Sequence, residues 1–141
     1  MKQSAKFIIE CAKTHAVLTR RFDSALGGIS LNEFTILQAL SAAPDEKMRR
    51  IDLATLIGLT ASGVTRLLLP MEKIGLVKSG ESESDARARY VMIASGGKYK
   101  LHEAKERMDI LLDEIMPIHD AKQLKNLIVF MSELGVRAGV K

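Results

Sequence analysis

The chain has 141 residues, of which 47% are apolar, enough for one buried core built mainly from aliphatic residues and methionine. Lys and Arg outnumber Asp and Glu by 21 to 17, a net charge of +4 that suits a polyanionic partner without requiring one. A single cysteine, Cys11, excludes an internal disulfide. The N-terminus carries no long apolar run typical of a signal peptide, and no segment approaches the roughly 18 apolar residues of a membrane span. The expectation is a cytoplasmic protein without a membrane partner.

Residues 4–26 read as a first helix. Phe7, Ile8, Cys11, His15, Leu18 and Phe22 recur at spacings of three and four, one stripe of a helix. Gly27-Gly28 stops it. Ser30, with Glu33 three residues on, has the pattern of a capping box for a second helix. Phe34, Leu37, Gln38 and Leu40 follow, and Ala42-Ala43-Pro44 ends it. Residues 45–50 read as a polar connection.

A short third helix spans about 52–57, with Leu53, Leu56 and Ile57 turned inward and Asp52 suited to the positive end of the dipole. Gly58 closes it and Thr60 caps a fourth helix. Val64, Leu67, Leu68 and Met71 form the buried face of that helix. Ser62, Thr65, Arg66 and Lys73 lie mostly on the other face, and Gly75 supplies the stop.

Leu76-Val77-Lys78 reads as a strand, and Arg89 to Ile93 as a second. Between them, residues 79–88 are glycine, serine, alanine and charge, giving a hairpin with a long charged tip. Helices over 97–116 (Leu101, Ala104, Met108, Leu111, Leu112, Ile115) and 120–135 (Leu124, Leu127, Ile128, Met131, Leu134) follow, parted by Pro117. The order is α-α-α-α-β-β-α-α: mainly α with a small β-hairpin wing, a winged helix-turn-helix. Residues 29–96 form the compact lobe, integrated with a helical region of residues 1–28 and 97–141. The apolar stripes of that region exceed what the lobe covers, so they call for a partner chain, most simply a second copy.

The charge is not spread evenly. Residues 49–100 hold nine basic and five acidic residues, an excess equal to the net charge of the whole chain. A helix-turn-helix reads DNA with the start of its second helix. That position needs short polar side chains and a long basic one. Thr60, Ser62, Thr65 and Arg66 meet the requirement, since hydroxyls reach phosphates or base acceptors and a guanidinium forks onto guanine or phosphate. Arg87 and Arg89 on the hairpin suit a narrow minor groove, where negative potential is concentrated. Asp85 supports Arg87 rather than facing phosphate. The partner expected is double-stranded DNA.

The same residues resemble the MarR family of bacterial transcription regulators. The likeness runs through Leu53-Ala54, Ser62-Gly63-Val64-Thr65-Arg66-Leu67 and Glu72-Lys73-x-Gly75-Leu76-Val77. It continues in Asp85-x-Arg87 and Arg89-Tyr90-Val91-x-Ile93, the Asp-x-Arg tip being the most specific element. The resemblance implies an obligate homodimer, made by the first and last helices, on a pseudo-palindromic operator. The expected role is that of a repressor, with an activator as the alternative, and the resemblance places Arg87 in the minor groove. Three departures stand out: Pro70 inside the fourth helix, which predicts a bend or the start of a new turn there; Leu69 on its polar face; and Ala94-Ser95-Gly96 where the family usually has a threonine cap, so that Ser95 becomes the expected cap.

Proteins of this kind often release DNA on binding a small aromatic acid or on cysteine oxidation. A phenolic effector would have His15 and Arg20 as candidate polar contacts. Cys11 is the redox candidate, although on an apolar stripe a thiol ordinarily packs as a small hydrophobe. His102, Glu106, His119 and Asp120 are too sparse for a metal site and read as solvated helix faces. No cofactor motif, phosphate loop or nucleophile elbow is present, so an enzyme is not expected. The alternatives are a winged helix used for protein contacts alone, which has no need for Arg66, Arg87 and Arg89 together, and a redox-sensing regulator acting through Cys11.

Overall fold

The computed structural model describes residues 1–81, 89–116 and 120–139. The chain divides into two compact units, residues 1–109 and 110–141.

In the first unit, α1 (Gln3–Asp23) leads to α2 (Leu31–Ala42). The first helix stops three residues short of the expected end. The Asp23 carboxylate accepts the Leu31 N–H at 2.7 Å, and Leu26 is fully buried in the connection. The capping box forms as expected: Glu33 N–H donates to Ser30 Oγ at 3.1 Å, and Ser30 N–H donates to Glu33 Oε1 at 2.8 Å.

The stretch expected to be a polar connection holds a further strand. After a 3₁₀ turn at Pro44–Glu46, β1 (Lys47–Arg49) pairs antiparallel with β3 (Arg89–Ile93), Met48 opposite Val91. β2 (Val77–Glu81) pairs on the other side of β3, so the sheet order is β1-β3-β2. A three-residue strand with one apolar side chain leaves no periodicity to read; only pairing with β3 makes it a strand. Asp45 (φ 57°) and Glu46 (φ 56°) both take the left-handed conformation to turn the chain into it. The Glu46 carboxylate is held by Lys98 at 2.7 Å.

α3 (Arg50–Ile57) begins two residues early, directly after β1. Leu53 is buried as expected and Ile57 half-buried, but Leu56 is 61% exposed, and Ala54 takes the inner position. In an eight-residue helix the inner face is one turn wide, and Leu53-Ala54 fills it. α4 (Ala61–Lys73) is one helix through Pro70. The proline removes the hydrogen bond to the Arg66 carbonyl, and both residues are exposed, so water can take that acceptor.

The lobe's core gathers Ile36, Leu37 and Leu40 from α2, Leu53 from α3, Val64, Leu68 and Met71 from α4, and Val77, Val91 and Ile93 from the sheet, all buried. α5 (Ser95–Ile115) contributes Leu101 and Ala104. Ser95 is its first residue, not its cap; the helix hydrogen bonding already starts from the Ala94 carbonyl. A side chain at Gly97 would meet the Leu76 carbonyl oxygen, with Ile93 Cγ1 at 2.9 Å and Leu37 Cδ2 at 3.1 Å. Glycine at this position therefore lets α5 lie directly on the strand and α2.

In the second unit, α6 (Ala121–Ala138) starts on Asp120, whose carboxylate accepts the Gln123 N–H. None of its residues is buried. Pro117 and His119 lie outside the described residues.

Gly97→Ala is expected to destabilise the protein by about 1–3 kcal/mol through overpacking against backbone that cannot rotate away. Urea unfolding followed by circular dichroism measures this, and an unchanged midpoint would contradict the close packing.

Candidate nucleic-acid interface

α3 and α4 meet at 107°, joined by Gly58, Leu59 and Thr60, within the range of helix-turn-helix units. Gly58 adopts φ 75°, ψ 25°, and its N–H reaches the carbonyls of Ala54 and Thr55. Leu59 N–H then donates to the Ala54 carbonyl at 3.0 Å. This left-handed cap turns the chain within three residues, and glycine adopts it without the penalty a Cβ would bring.

Thr60 Oγ1 accepts the Gly63 N–H at 3.0 Å and lies 3.3 Å from Ser62 Oγ. Its oxygen is therefore engaged in capping, and its hydroxyl faces the helix start. Thr65 Oγ1 donates to the Ala61 carbonyl at 3.1 Å. Arg66 follows one position later. Thr60, Ser62, Thr65 and Arg66 are all exposed, whereas Val64, Leu68 and Met71 on the opposite face are at most 1% exposed. The structure brings the four predicted residues of this helix start together on one solvated surface. Leu69, 53% exposed, sits among the polar residues, and nothing in the structure explains it.

Arg89, the last predicted contact, opens β3 at the base of the wing and is exposed. Asp85 and Arg87 lie outside the described residues. Two basic residues expected in a polar connection join this region. Arg49 stands opposite Tyr90 in the β1–β3 ladder. Arg50, the first residue of α3, donates from Nη2 to Ser79 Oγ on β2 at 2.6 Å. Ser79 in turn donates from Oγ to Glu72 Oε2 at 3.0 Å and from its N–H to Glu72 Oε1 at 3.3 Å. Glu72 belongs to α4, so one polar node links the start of α3 and the middle of β2 with the end of the helix that carries Arg66. The signal in the sequence was the Arg49-Arg50 pair just before a helix.

Elsewhere the expected candidates are dispersed. Cys11 is a half-buried free thiol on α1. His15 and Arg20 are exposed on the same helix but five residues apart, so they diverge by about 140° around its axis. His102 Nε2 lies 3.3 Å from Glu106 Oε1 on an exposed face of α5. Among the described residues no three His, Cys, Asp or Glu side chains gather as a metal site, and no single helix is long and apolar enough to cross a membrane.

Known proteins share this arrangement. Residues 29–88 match the MarR family model. Over that segment the chain is similar to the MarR family. Members of the MarR family are transcriptional regulators, not enzymes. Among solved structures, the chain is similar to the transcriptional regulator BldR from Sulfolobus solfataricus, at 26% identity, TM-score 0.82, and coverage of 94% of this chain and 99% of that one. It is also similar to the M. tuberculosis transcriptional regulator MOSR in complex with DNA, at 20% identity, TM-score 0.77, with 94% and 98% covered. A third is NadR in complex with 4-hydroxyphenylacetate, at 19% identity, TM-score 0.75, with 96% and 94% covered. At these last two identities the likeness is one of fold. A search of curated proteins gives no match.

The lobe depends on its caps. Thr60→Ala is expected to cost about 1 kcal/mol of stability, and Thr60→Asn to restore most of it. Thermal unfolding of the three proteins tests this; equal stability for all three would remove Thr60 from the cap.

Proposed function

We propose that this DNA-binding regulator acts as a homodimer on a pseudo-palindromic operator, as a repressor. The observation that carries the reading is the segregated face of α4. Ser62, Thr65 and Arg66 are displayed to solvent at the start of a helix set 107° from its brace, while the other face is buried. In this reading, the start of α4 lies in the major groove with Thr60, Ser62, Thr65 and Arg66 at base edges and phosphates. Arg87 and Arg89 on the wing approach the neighbouring minor groove, with Asp85 supporting Arg87.

Dimerisation is supported by the outer helices of the chain. Phe7, Ile8 and Ile9 on α1 are 41–54% exposed, and Leu127, Ile128, Val129 and Met131 on α6 are 46–62% exposed. Apolar surface of this extent on both outer helices suits a subunit interface. Two copies then present two recognition helices about one helical turn, roughly 10 bp, apart. A small aromatic acid as releasing ligand is the further element of this reading; its support is the fold shared with NadR in complex with 4-hydroxyphenylacetate.

The test is selection of bound duplexes from a random library, followed by titration at low salt. Two half-sites spaced by about one turn are expected; no duplex binding at any salt would sink the proposal. Arg66→Ala is expected to cost about 1–3 kcal/mol at particular base pairs, while Arg87→Ala weakens cognate and random duplexes alike. Thr60→Asp offers a separate check. The carboxylate caps as well as a hydroxyl and suits the helix dipole, so stability is kept. Beside phosphate it is repelled, so affinity should fall. Sedimentation equilibrium at micromolar concentration should give a dimer; a monomer would contradict the assembly.

A further inference from the structure

The wing base contains a depression lined by Arg50, Ser79, Gly80, Arg89 and Tyr90. Its lining residues carry two guanidinium groups and two hydroxyls, from α3, β2 and β3, and Gly80 adds no side chain over it. Arg50 is the unusual member. Its Nη2 is fixed by Ser79 at 2.6 Å, yet its buried Nε has no hydrogen-bond partner among the described residues. With that donor closed off from water and unpaired, the guanidinium charge is poorly compensated, so an anionic oxygen at its remaining Nη donors gains more here than on an open surface. The carboxylate of the node is already engaged. Glu72 accepts both the N–H and the O–H of Ser79, and it does not line the depression.

We propose that this depression receives a backbone phosphate of bound duplex DNA, with Arg50 as the central donor and Arg89 and Tyr90 beside it. The inference rests on the DNA-binding reading above and adds a contact outside the recognition helix. A planar guanidinium held by Ser79 loses little freedom on binding and offers a phosphate its remaining Nη donors. The contact carries no base information, so it sets the position of the wing on the duplex. The Glu72–Ser79 bonds tie that position to α4, so a phosphate held at the wing base also fixes the angle at which Arg66 enters its groove.

The test uses the full-length protein and fluorescence anisotropy on a selected duplex and a random one, across a salt series. Arg50→Ala is expected to weaken both duplexes about tenfold or more. The slope of log K against log salt should fall by about 0.9 for each phosphate that is no longer neutralised, hence about 1.8 for a dimer. Arg50→Lys keeps the charge and should retain most of the slope. Ser79→Ala breaks the node without removing charge, so its slope should stay at the wild-type value. If Ser79→Ala and Arg50→Ala reduce affinity and slope equally, Arg50 is merely structural and the proposal falls. Unchanged slope for Arg50→Ala, or weakening confined to particular base pairs, also overturns it.

Should Arg50→Ala fail to fold, the wild-type protein and Arg50→Lys are compared on duplexes carrying single neutral methylphosphonates. One phosphate per half-site should matter to the wild type and matter less to the variant; no such phosphate overturns the proposal. Inorganic phosphate, titrated by calorimetry, separates a small-anion site from a backbone contact. Arg50-dependent uptake of free phosphate with duplex affinity unaffected by the substitutions would refute the backbone assignment. Wild-type protein that binds no duplex at all would refute the DNA reading itself, whereas the variant outcomes bear on the wing base alone.

Discussion

One face of one helix constrains the rest of the lobe. Val64, Leu68 and Met71 on α4 are essentially sealed from solvent, and α2, α3 and the sheet pack around them. Burying each such side chain contributes about 1.5–3 kcal/mol, more than the exposed polar contacts of the same helix can offset. Rotation of α4 about its axis is therefore fixed by apolar burial. Because the helix is amphipathic, fixing the inner face fixes the outer one. Ser62, Thr65 and Arg66 are displayed because their neighbours cannot be.

The wing is placed by a different kind of interaction. β2 and β3 bury Val77, Val91 and Ile93, which anchors the sheet as a layer. Its relation to α4 is then specified by polar geometry at Ser79, where a carboxylate and a guanidinium from two helices converge on one hydroxyl. Such exposed bonds add little to stability, but they are directional, and direction is what an interface with a fixed groove spacing requires. Packing and polar geometry divide the work. The core holds the helix-turn-helix together, and the node aligns the wing with it.

Much of this was legible in the chain. The capping box of Ser30 and Glu33, the stop at Gly58, the cap at Thr60 and the buried stripe of α4 are local features. Each depends on side chains within about one helical turn, so spacing reveals them. The features that spacing missed depend on distant partners. β1 is a strand because β3 lies beside it, Leu56 is exposed because Leu53 and Ala54 suffice for a narrow inner face, and Ser95 is not a cap because α5 begins one residue sooner against Leu76. Arg50 was visible as a charge but not as a member of the wing base, since Ser79 is 29 residues away.

The sequence by itself determined the elements, the two-sided character of α4 and the concentration of basic residues around it, because periodicity and caps act over a few residues. Only the tertiary structure decided the third strand, the close seat of α5 at Gly97 and the meeting of Arg50, Ser79 and Glu72. Those depend on backbone pairing and side-chain convergence across long separations, which no local pattern encodes.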